Sequence, residues 1–231
     1  MLGFFSFTEV TDPSAHRAYN EWHQLDHMPE QFSLDGISFG QRWVCTPACA
    51  ASRVAVSSTL KRCHYVTLYL MRDAEVLPGF TALGQRLYRE GRFFAERRSH
   101  LSGPFEVEGR WVSPRIKVSA EVVPFRPAQG IYVVLGPAVD GATLVSRPGV
   151  AGAWAFARDN ADDRPVRHIT VAFVDGDLPA VAADLGQWCL ASGLASDQES
   201  DQASAQELEW AGPLERVDAD CWDWFDRLTP Q

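Results

Sequence analysis

Short apolar and aromatic runs alternate along this chain with longer segments in which apolar residues recur every three or four positions. The first pattern predicts β-strands and the second predicts amphipathic helices. In the first half of the chain, strands are expected over residues 2–10, 37–45, 64–71, 105–112 and 116–125. Two helices are expected, over residues 14–28 and 73–90. Residues 46–62 show no period and are expected to form a loop.

The first expected helix has sequence signals at both ends. Asp12 is a candidate N-cap, and Pro13 suits the first helical position, where its missing N–H costs nothing. One face of the helix is expected to be apolar and to carry Ala15, Ala18, Tyr19, Trp22 and Leu25. Pro29 is expected to end or kink the helix, because proline disfavours the α conformation of the residue before it.

The order of elements then begins again in the second half of the chain. Strands are expected over residues 130–136 and 168–174. Short sequences recur in the same order: Asp35-Gly36-Ile37 as Pro148-Gly149-Val150, and Leu83-Gly84-Gln85 with Gly91 as Leu185-Gly186-Gln187 with Gly193. The second echo keeps a constant offset of 102 residues. The recurrence predicts a tandem repeat of one β-α-β-β-α-β unit.

The two predicted repeats, residues 1–126 and 127–231, differ in ways that bear on function. The first helix of repeat one spans roughly four turns, whereas residues 140–147 of repeat two allow about two turns at most. Residues 196–206 are expected to form a polar surface loop, and residues 221–228 a short amphipathic helix over an open barrel end. We therefore expect any chemistry to lie mainly in repeat one.

Composition and charge exclude several classes of protein. The formal net charge is −9 and the pI is near 5.1, so the chain lacks the cationic surface that nucleic-acid binding requires. No apolar run approaches the roughly 18 residues that span a bilayer, and no signal peptide is recognisable at the start. Five cysteines without tight pairing are typical of a reducing compartment. These features predict a soluble cytoplasmic protein with no nucleic-acid or membrane partner.

Residues 19–30, Tyr-Asn-Glu-Trp-His-Gln-Leu-Asp-His-Met-Pro-Glu, followed by Asp35-Gly36-Ile37, resemble a known family. The segment is similar to the EthD-like branch of the dimeric α/β-barrel (ferredoxin-like) superfamily. This resemblance implies an α+β fold in which two tandem ferredoxin-like units, each with an antiparallel sheet, form an α/β barrel within one chain. Relatives include cofactor-free monooxygenases, polyketide cyclases, dehydratases, decarboxylases and haem enzymes, so the fold alone does not decide the reaction.

The same segment offers candidate catalytic residues without reference to the family resemblance. Tyr19, His23 and His27 are spaced by four and form one row along a helix, and Glu30 continues the row if the helix passes Pro29. Two imidazoles, a phenol and a carboxylate suit proton transfer. His27 is the leading acid or base, with Tyr19, His23 and Glu30 in support. Each histidine also has a structural interpretation, because histidine often only packs beside an aromatic helix face.

Three further residues are candidate substrate contacts, namely Trp22, Arg42 and Tyr69. Arg42 and Tyr69 lie on expected strands, where alternate residues share a face, but the sequence does not decide which face is inside the barrel. The arginines that follow residue 85 (Arg86, Arg89, Arg92, Arg97 and Arg98) suggest an anion site, although a solvated helix face is the simpler interpretation.

Metal and haem sites are less favoured, and no cofactor or metal is expected. His23 and His27 have the spacing of a helical metal pair, with Glu30 or Asp26 as a third ligand, but the full His-Glu-x-x-His signature is absent. A second set, Cys45, Cys49, Cys63 and His64, does not follow common zinc spacings. Repeat two offers only His168 as a haem ligand, and it lies on an expected strand.

The hypothesis favoured at this level is a small enzyme with cofactor-free acid–base chemistry: a lyase, dehydratase, cyclase or decarboxylase. Its substrate is expected to be a small apolar or aromatic molecule. The alternatives are a non-catalytic ligand-binding or structural barrel and a cofactor-free monooxygenase. A monomer is possible because an internal repeat supplies its own barrel partner, and a homodimer remains equally open.

Overall fold

The computed structural model describes residues 1–158, 166–194 and 208–218. Its strands are β1 (Leu2–Val10), β2 (Ile37–Val44), β3 (Ala55–Val56), β4 (Tyr65–Met71), β5 (Arg97–Val112), β6 (Gly130–Gly136), β7 (Val150–Ala157), β8 (His168–Val174) and β9 (Trp210–Arg216). Its α-helices are α1 (His16–Glu21), α2 (Met28–Gln31), α3 (Pro47–Ala51), α4 (Val76–Arg89), α5 (Gly141–Val145) and α6 (Leu178–Ala191). A π-helical turn, Trp22–His27, joins α1 to α2, and 3₁₀ turns lie at Pro13–Ala15 and Ala120–Phe125. We call the run from the first 3₁₀ turn to the end of α2 the helical segment 13–31.

Eight strands close into an antiparallel barrel. The order around it is β2-β4-β1-β5-β7-β8-β6-β9, with β9 pairing back to β2 and the two-residue β3 added to β9. In this order, β2, β4, β1 and β5 form one half of the barrel, and β7, β8, β6 and β9 form the other. We call each half a sheet. Helices and strands together give the α+β fold that the sequence predicts. The sheets join where β5 pairs with β7, and again where β2 pairs with β9 through Trp43↔Arg216 and Val44↔Glu215.

The two faces of each strand have different roles. Phe5 of β1 packs against Phe156 of β7, with ring centroids 4.9 Å apart, and Phe7 packs against Trp210 of β9 at 6.0 Å. Since neither pair lies on neighbouring strands, these rings meet across the barrel interior. Tyr69, by contrast, packs with residues of α2 and α4 on the outer face. An apolar core therefore occupies the barrel, and Tyr69 lies on the outer face beneath the helices.

The second strand of each sheet begins with the same backbone geometry. Gly36 and Gly149 both have positive φ, +92° and +79°, in the left-handed region that favours glycine. A Cβ on Gly36 would lie 2.6 Å from the side chain of Val76, and one on Gly149 would lie 2.4 Å from that of Val181. Immediately after each glycine, β2 and β7 carry a register shift at the same position. At each glycine, both the positive φ and the nearby helix side chain therefore disfavour a residue with a Cβ.

The helical segment 13–31 departs from the sequence expectation at two points. Pro29 does not end it, because the helix continues through α2 after a π-helical turn. Ala18 and Leu25, expected on the buried face, are exposed, and Leu25 is 61% accessible. The residues that face the sheet are instead polar or aromatic: His16, Tyr19, Asn20 and His23. The cause is Arg42, which lies fully buried beneath this face and needs polar neighbours.

Two other expectations are wrong. Residues 46–62 are not one loop but contain α3 and β3, because Thr46 caps the short helix and residues 55–56 pair with β9. Residues 116–125 were expected to form a strand, yet residues 120–125 form a 3₁₀ turn that contains Pro124. Proline has no N–H to donate to a strand ladder, which explains the difference. The expectations for residues 196–206 and 221–228 lie outside the described residues.

Within the described ranges, none of the helices is both long and apolar enough to cross a membrane.

Alanine substitutions of the two turn glycines test this architecture. We expect Gly36→Ala and Gly149→Ala each to lower the free energy of unfolding by about 1–3 kcal/mol, because both the positive φ and the helix contact oppose a Cβ. Gly84 in α4 is the matched control, since no atom lies within 4 Å of its added Cβ. Gly84→Ala is expected to raise the free energy of unfolding by about 0.5–1 kcal/mol. Urea titrations measure the free energy of unfolding of all three variants. Equal changes in the three would contradict the special role assigned to Gly36 and Gly149.

Candidate functional site

Three of the predicted site residues meet between the helical segment 13–31 and the sheet. His23 lies between two phenols: its Nδ1 is 3.2 Å from the Tyr19 hydroxyl and its Nε2 is 3.4 Å from the Tyr69 hydroxyl. All three side chains are buried. Both ring nitrogens of His23 are therefore engaged by the protein itself.

The π-helical turn brings Trp22 and His27 together. In an α-helix, residues five apart point to different faces, since each residue adds about 100°. Hydrogen bonds from residue i to i+5 widen the turn and place such residues near one another. The two rings here stack with centroids 4.6 Å apart and an interplanar angle of 24°. The wide turn lies directly before Pro29, whose ring would clash with the carbonyl of Leu25 in a regular α-helix.

The end of α4 supplies the other wall of the site. Gly91 follows α4 with φ of +69°, and the amide of Arg92 donates to the carbonyl of Leu87 at 2.9 Å. This C-terminal turn directs residues 92–94 back onto the helical segment, where the Trp22 indole N–H donates to the Arg92 carbonyl at 2.9 Å. Phe93 then packs edge-on against His27 at 5.3 Å.

These two pieces enclose a cavity of about 320 Å³. Its lining is Trp22, Asp26, His27, Glu30, Leu87, Gly91, Arg92, Phe93 and Phe94. Glu30 forms an ion pair with Arg92 at its edge. The volume falls at the lower end of the range for small-molecule sites. We call this cavity the Trp22–His27 pocket.

Behind the pocket, Arg42 is held by a buried polar network. Its Nη2 donates to the Asn20 side-chain oxygen at 2.7 Å, and Asn20 in turn donates to the Tyr65 hydroxyl at 2.8 Å. The guanidinium lies over the rings of Tyr19 and Tyr65, 5.1 and 5.2 Å from their centroids. Arg42 Nε and Nη1 have no hydrogen-bond partner among the described residues.

A second arginine, Arg97, lies against the pocket walls at the start of β5. Its guanidinium is 4.3 Å from the centroid of Phe93 and 5.6 Å from that of Trp22. Burial lowers the pKa of Arg97 below its usual value. The sequence expectation of a solvated arginine face holds for Arg86 and Arg89, which are exposed, but not for Arg97.

The histidines of the site are neutral at physiological pH. Burial, followed by repulsion from Arg97 and Arg42, lowers the pKa of His27 from its usual 6.5 to about 3. Burial and the charge of Arg42 hold the pKa of His23 well below 6.5. Burial likewise raises the pKa of Tyr69 above its usual 10. His27 Nδ1 is buried and has no hydrogen-bond partner among the described residues, so nothing described fixes its tautomer.

The seven predicted site residues thus fall into three groups. Trp22, His27 and Glu30 line the pocket. His23, Tyr19 and Tyr69 form the hydrogen-bonded layer behind it, and Arg42 lies deeper on the sheet. Sequence reasoning missed Phe93 and Phe94, although two aromatic residues after the Gly91 stop were an available signal. It also did not foresee that Arg97 contacts the aromatic walls.

The structure also shows where the other candidate metal and haem ligands lie. Among the described residues, no three histidine, cysteine or acidic side chains come together in a way that would hold a metal ion. Cys45, Cys49 and Cys63 are buried free thiols whose pKa values burial raises above the usual 9. His168 lies partly buried at the start of β8, with Nδ1 3.6 Å from the Glu108 carboxylate. A larger cavity of about 860 Å³, lined by Cys49, Asp177 and Glu215 among others, contains none of the predicted site residues.

Comparison with known proteins supports the fold and leaves the chemistry open. No protein-family model and no curated protein sequence matches this chain. Among solved structures, one described as "Putative Chlorite dismutase" matches with a TM-score of 0.55 and 9% identity, covering 98% of this chain and 96% of its own. Another, described as a "putative monooxygenase" from Lactobacillus acidophilus NCFM, gives a TM-score of 0.43 and 8% identity over 94% of both chains. The chain shares the α+β barrel fold of the first of these structures.

Proposed function

We propose that this protein is a small-molecule enzyme that performs cofactor-free acid–base chemistry on an aromatic substrate in the Trp22–His27 pocket. The observation that carries the proposal is His27 itself. Its imidazole lines the pocket and stacks on Trp22, while its Nδ1 has no hydrogen-bond partner among the described residues. A neutral imidazole at the wall of an aromatic pocket is suited to accept or donate a proton.

The charges around His27 indicate how the reaction proceeds. In the empty site, a protonated His27 would be repelled by Arg97 and Arg42, which together with burial keeps the imidazole neutral. When His27 takes a proton from the substrate, the substrate gains one negative charge. That charge, in a pocket whose Trp22 and Phe93 walls are backed by Arg97, offsets the repulsion of the imidazolium by the arginines. Proton transfer and charge stabilisation are thus coupled in one site.

Three of the other predicted residues support this role from behind the pocket. His23, between the Tyr19 and Tyr69 hydroxyls, fixes the π-helical turn against the sheet. Its ring centroid is 5.1 Å from that of His27. We assign His23, Tyr19 and Tyr69 as positioning residues. Glu30, paired with Arg92, holds the pocket edge.

We further propose that the chain is a tandem repeat of the EthD-like type, with units at residues 1–126 and 127–231. The matched glycines Gly36 and Gly149, each followed by a register shift at the same place, support a common origin of the two units. Gly91 and Gly193 add to this, since both have positive φ after the corresponding helices α4 and α6.

Hydrogen exchange into substrate tests the proposed base directly. A panel of aromatic ketones and hydroxy acids is incubated in D₂O and followed by NMR, because proton abstraction from carbon introduces deuterium whatever the final product. For the panel member that responds, we expect His27→Gln to lower the exchange rate by about 10²–10⁴-fold. His168→Gln, on a partly exposed histidine of the other sheet, is the matched control and is expected to leave the rate unchanged.

Urea titration of the same variants separates catalysis from structure. Under the proposal, His27→Gln keeps a cooperative transition with nearly the wild-type midpoint. Undiminished exchange in His27→Gln would contradict the role of His27 as the base. A large loss of stability without a specific loss of exchange would indicate the non-catalytic alternative.

Neutral buried histidines also predict an acid-sensitive fold. Burial lowers the pKa of His16 to about 4 and that of His27 to about 3, and lowers the values for His23 and His64 as well. Since these groups regain a pKa near 6.5 on unfolding, the unfolded chain binds more protons below that pH. The free energy of unfolding is therefore highest above pH 6.5 and falls as the pH drops toward the folded-state pKa values.

Between pH 6.5 and its folded-state pKa, each such histidine lowers the free energy of unfolding by up to about 1.4 kcal/mol per pH unit. We expect urea titrations between pH 6.5 and 4.5 to show uptake of about two to four protons on unfolding. His27→Gln is expected to reduce that uptake by about one proton. A stability independent of pH over this range would show that the histidines are charged in the folded protein.

A further inference from the structure

Two guanidinium groups lie at this site without a carboxylate partner among the described residues. Arg42 is fully buried, and only its Nη2 has a hydrogen-bond partner, the neutral amide of Asn20. The guanidinium of Arg97 lies against the faces of Phe93 and Trp22. A buried cation normally requires a counterion, because removing a charge from water is costly. The described residues do not supply one here.

The acidic residues of the pocket do not fill this role. Glu30 is already paired with Arg92, and Asp26 is exposed. The charged or titratable groups that act on His27 are Arg97 and Arg42, and those that act on Arg97 are tyrosines. The charges that act on His27 are therefore both positive, although the whole chain carries a formal charge of −9. A local field of this sign concentrates anionic ligands.

We infer that the substrate is an aromatic anion, with a negatively charged carboxylate, phenolate or enolate oxygen, and that Arg97 and Arg42 attract its charge from behind the pocket lining. This inference rests on the proposed function, whose pocket it uses. Trp22 and Phe93 contact the aromatic ring of the ligand. Arg97, against both of these rings, is the nearer specificity residue, and Arg42 adds a second positive charge behind the histidines.

The two arginines and an anionic ligand would stabilise each other. Two nitrogens of the buried Arg42 guanidinium, Nε and Nη1, have no hydrogen-bond partner among the described residues, and such groups are costly to desolvate. An anion in the pocket is attracted to the positive charges behind its wall, where little water screens them. The same anion offsets the repulsion from Arg97 and Arg42, which after burial is the second cause of the low pKa of His27, so binding of the correct charge also favours protonation of His27. A neutral ligand of the same shape provides neither effect.

Paired acids and amides test the charge requirement by calorimetry on the full-length protein. The probes are benzoate and 2-naphthoate, each compared with its neutral amide, benzamide or 2-naphthamide. We expect at least one acid to bind at least about tenfold more tightly than its amide, because only the acid carries a charge that the guanidinium groups behind the pocket wall attract. Arg97→Gln is expected to remove this preference and Arg97→Lys to retain part of it. Arg98→Gln is the matched control, because Arg98 is exposed and the next residue on a strand faces the other way.

Each outcome has a definite meaning. Equal binding of acid and amide overturns the anion inference while leaving the aromatic pocket in place. No binding of any probe also overturns it. An acid preference that survives Arg97→Gln in a cooperatively folding variant overturns the assignment to Arg97. His27→Gln separates the two proposals: it is expected to bind 2-naphthoate and to lose deuterium exchange. Acid binding by a wild-type protein that exchanges no panel member supports the anion site and refutes the proposed reaction.

Discussion

The burial of Arg42 is the constraint on which the rest of the site depends. A guanidinium on the outer face of β2, with none of its surface exposed, cannot be covered by an ordinary apolar helix face. The helical segment 13–31 meets it with the amide of Asn20 and the ring of Tyr19, and Tyr65 covers the other side. Asn20 is in turn fixed by the Tyr65 hydroxyl and the carbonyl of His16. This requirement sets the rotation of the helix and turns Ala18 and Leu25 toward solvent.

Burial, and after it the same positive charge, lowers the pKa values of the histidines. His23 and His27 are both close enough to Arg42 and Arg97 for these arginines to add to the effect of burial. The result is a site with fixed positive charges and neutral imidazoles. Such a site differs from a typical histidine–carboxylate pair, where the acid favours the imidazolium. The acid–base role proposed for His27 would thus depend on the charge of whatever enters the pocket.

Much of the fold was predictable from the sequence, because strand patterns and turn glycines are local signals. Tertiary contacts decide the features that it did not predict. Residues 97–104 form the first half of β5 although they are largely polar, because they pair with β1. No periodic sequence pattern predicts the π-helical turn. In the structure, the stacked rings of Trp22 and His27 show the wider winding. Arg97 joins the site only because β5 begins beside the end of α4.

The two halves of the barrel differ at the position of Arg42. Counting from Gly36 and Gly149 through the same register shift, Arg42 of β2 corresponds to Ala155 of β7. The cross-strand partner is a threonine in both cases, since Arg42 pairs with Thr67 and Ala155 pairs with Thr170. The architecture therefore retains the strand, the bulge and the threonine in both halves, and only the first half carries the cation.

The helices that cover the two sheets differ in the same way as the two strands. Above β7, the five-residue α5 suffices, because alanine at position 155 requires no polar neighbours. Above β2, a longer helical segment with an aromatic and imidazole face is required to enclose the guanidinium. A barrel without a function at this site would gain stability by replacing a buried charge that no described carboxylate neutralises with an apolar side chain of similar size. The proposed anionic substrate would account for the presence of Arg42 beside neutral histidines in the first half and for its absence from the second.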